Sequence, residues 1–195
     1  MEAFFVPTFV VAVAEIGDKT QLLALLLAAR YRRPWPIIWG MTVATLINHL
    51  FAGVIGVLVA QWLSPALLSW LLAASFIAVA LWTLVPDKLD DDENTSRWRF
   101  GPFLTTAIAF FLAEMGDKTQ IATVMLAAQY DSLFWVILGS TLGLLLANVP
   151  VVLAGKFAAD KLPLDLIRRI AAVIFLILGL IAGYNALQES GLSSL

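Results

Sequence analysis

Glu15-Ile16-Gly17-Asp18-Lys19-Thr20-Gln21 and Glu114-Met115-Gly116-Asp117-Lys118-Thr119-Gln120 are two copies of one polar segment, 99 positions apart, each inside a long apolar stretch. Carboxylates, hydroxyls and amides are hard oxygen donors, suited to Mg, Ca and Mn. The chain has no cysteine, which excludes disulfides and thiolate metal sites and disfavours copper(I). An ionisable residue at the centre of a membrane span costs roughly 2.5–3.5 kcal/mol on insertion scales. Three in one stretch, and the same three again, point to a cation site lined by carboxylates near the membrane midplane.

At about 100° per residue, Glu15, Asp18 and Lys19 share one face of a helix, and Glu114, Asp117 and Lys118 do the same. Bringing the two faces together collects four carboxylates and two ammonium groups, a formal charge of −2 that matches one divalent cation. The expected metal ligands are Glu15, Asp18, Glu114 and Asp117. Four carboxylates crowded in a low dielectric cannot all ionise at neutral pH without a bound cation, and they titrate as a set. Metal entry then expels protons, which is the physical basis of cation/proton exchange. Lys19 and Lys118 either neutralise motif carboxylates or hold local geometry. Thr20, Thr119, Gln21 and Gln120 serve as further oxygen ligands or as interhelical hydrogen-bond partners. Gly17 and Gly116 permit close helix approach or a local break. Asn48 and Asn148, at mid-depth in two other apolar runs, are candidates to complete an oxygen shell, and His49 is a candidate proton acceptor.

The elements that must carry these residues follow from composition. The 195 residues are 61% hydrophobic and 13% charged, with a mean hydropathy of +0.91; a soluble chain carries about a quarter charged residues. Continuous Leu/Ala/Val runs argue for helices and against a barrel. Six spans are expected, over about 4–29, 37–60, 66–85, 102–128, 133–155 and 170–188. Outside the motifs, Lys and Arg occur only in three loops: Arg30, Arg32 and Arg33; Lys88, Arg97 and Arg99; and Lys156, Lys161, Arg168 and Arg169. The positive-inside rule makes these loops cytoplasmic and both termini extracytoplasmic. Met1-Glu2-Ala3 lacks a basic start, so no cleavable signal is expected.

The repeat extends past the motif: Leu27-Ala28-Ala29 matches Leu126-Ala127-Ala128, Tyr31 matches Tyr130, Gly40 matches Gly139, and Thr42 matches Thr141. This is duplication, with residues 1–85 and 102–195 as three-helix units and 86–101 as an acidic cytoplasmic linker. Three spans per unit is an odd number, so the second unit is inverted, and inverted repeats place substrate at their interface near the midplane. The fold class is therefore an all-α integral membrane protein of six helices in two inverted repeats. Its partners are a divalent cation and the lipid bilayer. No nucleic acid and no prosthetic group is expected, and an oligomer is possible but not predicted.

Both motifs fit Glu-x-Gly-Asp-[Lys/Arg]-[Thr/Ser] without departure, and two copies in opposed spans are far more specific than one. The chain resembles the six-helix family catalogued as uncharacterised protein family sixteen, within the lysine-exporter superfamily. That resemblance implies exchange of Mn²⁺ or Ca²⁺ for protons, with Glu15, Asp18, Glu114 and Asp117 as ligands. It also implies manganese export across a bacterial or archaeal plasma membrane, since the extra N-terminal region of organelle-targeted members is lacking. Three alternatives stand beside that expectation: a Ca²⁺/H⁺ exchanger using the same site, an intramembrane acid/base enzyme, and a non-transporting assembly subunit whose charges only pair helices.

Overall fold

The computed structural model describes residues 1–85, 100–154 and 164–190, which contain eight α-helices and no strand. In chain order these are α1 (Glu2–Glu15), α2 (Lys19–Tyr31), α3 (Pro34–Ala60), α4 (Pro65–Thr83), α5 (Pro102–Glu114), α6 (Lys118–Gln129), α7 (Leu133–Ala154) and α8 (Leu164–Glu189). The acidic stretch with Lys88, Arg97 and Arg99, and the loop with Lys156 and Lys161, lie outside the described residues.

Among the described residues, four helices are long and apolar enough to cross a bilayer: α3, α4, α7 and the Arg168–Glu189 part of α8. The other two expected spans are each a pair of shorter helices, α1 with α2 and α5 with α6. The continuous helices expected over 4–29 and 102–128 are thus corrected to two broken ones. Proline opens α3, α4 and α5, where its missing N–H has no intrahelical partner to lose. Along α3, Trp39, Val43, Ile47, Leu50, Val54 and Leu58 are exposed apolar side chains. An apolar surface that long is what a bilayer, not water, would cover.

Packing repeats across the halves. α1 lies along α7, α5 lies along α3, and α4 pairs with α8. Gly40 on α3 meets the Phe103 carbonyl on α5; Gly139 on α7 meets the Phe4 carbonyl on α1. Both partners in the second contact are the sequence counterparts of those in the first, 99 positions away. A Cβ at either glycine would strike the facing backbone, so these crossings require glycine.

These contacts define the two ends of the molecule. At one end Tyr31, closing α2, donates to Thr105 Oγ1 at 3.0 Å, which puts the Arg32–Arg33 turn beside the start of α5. At the other, the Phe4 and Trp135 rings meet edge to face at 5.9 Å, and Gly56 packs on the Val124 carbonyl near the end of α6. The two helix breaks lie between these ends.

Candidate functional site

Each break is the same turn. The Asp18 N–H donates to the Glu15 carbonyl at 3.1 Å, and the Asp117 N–H to the Glu114 carbonyl at 3.2 Å. Ile16 (φ −69, ψ 118) and Met115 (φ −64, ψ 116) are extended, while Gly17 and Gly116 have φ of 81° and 75°. That is the type II β-turn pattern, in which the third position needs positive φ and hence glycine. The spacing Glu-x-Gly-Asp is therefore a turn signature, and it ends one helix and starts the next.

The other motif residues stabilise this turn from within. The Gln21 amide oxygen accepts the Gly17 N–H at 2.9 Å, and the Gln120 oxygen accepts the Gly116 N–H at 2.7 Å. The Gln21 amide also donates across the halves to the Ala147 carbonyl at 2.9 Å. In this conformation the glutamines close the breaks. Thr20 donates to Glu15 Oε2 at 2.6 Å and lies 3.4 Å from Asp18 Oδ2. Thr119 repeats this with Glu114 Oε2 at 3.1 Å and Asp117 Oδ2 at 3.4 Å. Each threonine thus turns a glutamate so that one oxygen is held and the other points away.

The glutamate of each half meets the other half. Glu15, Glu114 and Asp117, all buried, each offer a carboxylate oxygen, and these three oxygens lie within 4.8 Å of one another. Glu15 Oε1 and Glu114 Oε1 have no hydrogen-bond partner. A buried acceptor with no donor is costly, and both glutamates belong to a cluster of carboxylates that could hold a cation. Asp18 stands outside this trio: Lys118, itself buried, donates to Asp18 Oδ1 in an ion pair across the halves. Lys19 is half-buried.

Asn148 donates to Glu15 Oε2 at 3.1 Å and Asn48 to the Phe111 carbonyl at 3.1 Å, one turn before Glu114. The carbonyl oxygens of both asparagines are buried and unpartnered. His49 contacts Thr141 through Nδ1 at 3.4 Å, and its Nε2 has no partner. Sequence reasoning passed over Thr45, whose buried hydroxyl is also unpartnered. It precedes Asn48 and His49 by one turn on the same face of α3, and that spacing was the available signal.

The family model for the divalent cation/proton antiporter GDT1 matches residues 3–91 and 102–190, two segments offset by the same 99 positions as the motifs. The chain belongs to this family, which comprises transporters and not enzymes. A Vibrio cholerae protein named "Putative manganese exporter" is 59% identical over 175 residues, covering 89% of this chain and 86% of its own. GDT1-like protein sll0615 of Synechocystis is 26% identical, covering 95% of this chain and 98% of its own. GDT1-like protein 5 of Arabidopsis thaliana is 28% identical, with 86% and 89% covered. No solved structure matches.

Proposed function

We propose that this divalent cation/proton antiporter exports Mn²⁺ from the cytoplasm against an inward flow of protons. The ion is held by Glu15, Glu114 and Asp117 together with the carbonyl oxygens of Asn48 and Asn148, while Asp18, the fourth motif carboxylate, is paired with Lys118 in this conformation. The observation that carries this reading is the buried trio of carboxylates with two unpartnered glutamate oxygens. Oxygen donors of this kind suit Mn²⁺ and Ca²⁺ alike; the 59% relative named for manganese favours the first. Metal and protons compete for the same oxygens, so the arrival of one expels the other.

The same reading makes α1–α2 and α5–α6 two broken membrane spans that, with α3, α4, α7 and α8, give six crossings in two inverted repeats. The equivalent glycine crossings and the paired matches to the family model support duplication. Tyr31 joins the arginine-bearing turn to the start of α5, which supports reading residues 30–33 and 100–105 as sharing one side of the membrane. By the positive-inside rule that side is cytoplasmic, and both termini are outside. The protein then sits in a bacterial plasma membrane as a multi-pass transporter.

The test is flux. Pure protein in sealed, loaded proteoliposomes is given a pH gradient, with Mn²⁺ and Ca²⁺ assayed separately. Mn²⁺ movement that follows the gradient and is lost in Asp117→Asn is the expected result. Faster Ca²⁺ than Mn²⁺ movement would replace the ion, and no movement of either would overturn the reading.

A further inference from the structure

The two motifs are identical in every polar residue yet are used differently. Asp117 joins Glu15 and Glu114, while Asp18 is held by Lys118 from the other half. Lys118 is buried and Lys19 only half so. Around the breaks, Met115 and Gly116 are exposed where Ile16 and Gly17 are half-buried. The asymmetry therefore extends through the backbone surroundings of both turns and is not confined to one rotamer.

A buried ammonium requires a buried counter-charge, and a lysine brings that charge on a flexible stem. Lys118, at the first position of α6, spans the interface and neutralises the aspartate that the trio does not use. The motif gives Lys19 the same position at the start of α2 and the same stem, so the mirrored arrangement is built into the sequence.

We propose that Lys118 and Lys19 are alternating positioning residues that decide which aspartate serves the ion. In the state described here Lys118 holds Asp18 and the ion faces Glu15, Glu114 and Asp117. In the opposite-facing state Lys19 holds Asp117, and Asp18 joins the two glutamates. The site then keeps three carboxylates and one neutralised pair throughout the cycle, while the half that supplies the third ligand changes. This inference rests on the proposed transport function, because it assumes that the halves exchange conformations.

The chain's lack of cysteine makes a spectroscopic test clean. Spin labels at Ala29→Cys with Phe103→Cys report the α2–α5 contact at one end. Labels at Ala128→Cys with Phe4→Cys, the equivalent positions, report the α6–α1 contact at the other. Pulsed EPR then gives the populations of near and far distances at each end, without added metal. Lys118→Met should shift those populations away from the present state and Lys19→Met toward it, each by about threefold or more in opposite directions. Lys118→Arg should stay near the unsubstituted chain. If Lys118→Met fails to insert, Lys118→Gln takes its place. Shifts in the same direction, no shift, or an Arg variant that behaves like Met would overturn the proposal. A chain that fails to move any metal defeats the functional reading instead, and these distances do not depend on that result.

Discussion

Alanine in place of glycine should have three different outcomes in this protein, because its glycines do three different things. Gly116 has φ +75 and open space where a Cβ would go, so Gly116→Ala meets no clash and only the left-handed backbone opposes it. That conformation costs an L-residue roughly 1–2 kcal/mol. Gly56→Ala meets the Val124 carbonyl and the Ala127 side chain, so two helices must part; overpacking of this kind costs about 1–3 kcal/mol. Gly183, inside α8, would place its Cβ 3.8 Å from the Ala73 Cβ, an ordinary contact. There the better helix propensity of alanine should stabilise by up to about 1 kcal/mol. For a chain of this size 1 kcal/mol moves Tm by about 2–4 °C. Thermal unfolding of the pure protein in detergent should therefore show Gly116→Ala lower by about 2–8 °C and Gly183→Ala unchanged or higher. Gly116→Asn should fall between them, since asparagine tolerates positive φ. A Gly116→Ala protein as stable as Gly183→Ala would refute the turn and with it the physical reading of the motif.

Mn²⁺ at a hundred times its Kd should stabilise the protein by about 2.7 kcal/mol against heating, and Glu15→Gln or Glu114→Gln should abolish that rise while keeping the threonine hydrogen bond; an equal rise in either variant would remove that glutamate from the site. Asn148→Ala takes a donor from Glu15 and a carbonyl oxygen from the site, and calorimetry should find Mn²⁺ affinity lowered about 10–100-fold, the usual cost of losing such a support. Tyr31→Phe removes the hydroxyl that donates to Thr105 Oγ1 and lies 3.4 Å from the Phe100 carbonyl; it should cost about 0.5–1.5 kcal/mol in the same unfolding assay and leave Mn²⁺ affinity unchanged.

The site was more legible in the sequence than the backbone that builds it. Two charged segments in apolar runs pointed to Glu15, Asp18, Glu114 and Asp117, because burying such groups needs a reason wherever it occurs, and the structure gathers the first, third and fourth of these into one buried cluster. The helical-wheel reading nevertheless drew Glu15 and Asp18 on one continuous face. Helical periodicity cannot register a turn that leaves the helices on either side intact, and Gly17 looked equally suited to close packing. The i to i+3 turn bond and the positive φ of glycine were the missing elements. The unequal use of the two aspartates could not be read from the motifs, since the two copies carry the same polar residues in the same order.

The turn also accounts for the compactness of the motif. Glu15 closes α1, and Asp18 precedes α2. The aspartate stands at the positive end of a helix dipole, which favours its charge, and the glutamate at a negative end, which does not. A carboxylate at a helix C-terminus is better off beside a cation than beside water-free protein, and the carbonyls released at that terminus tend the same way. Thr20 two residues after Asp18 reaches back to Glu15, and Gln21 reaches back to the Gly17 N–H. Those two contacts offset the unfavourable end by fixing the glutamate oxygen and satisfying the exposed amide. Seven consecutive residues thus build the turn and hold its glutamate with their own side chains, and the second copy repeats the arrangement. The further contacts from Asn148 and Lys118 then fix the two halves relative to each other.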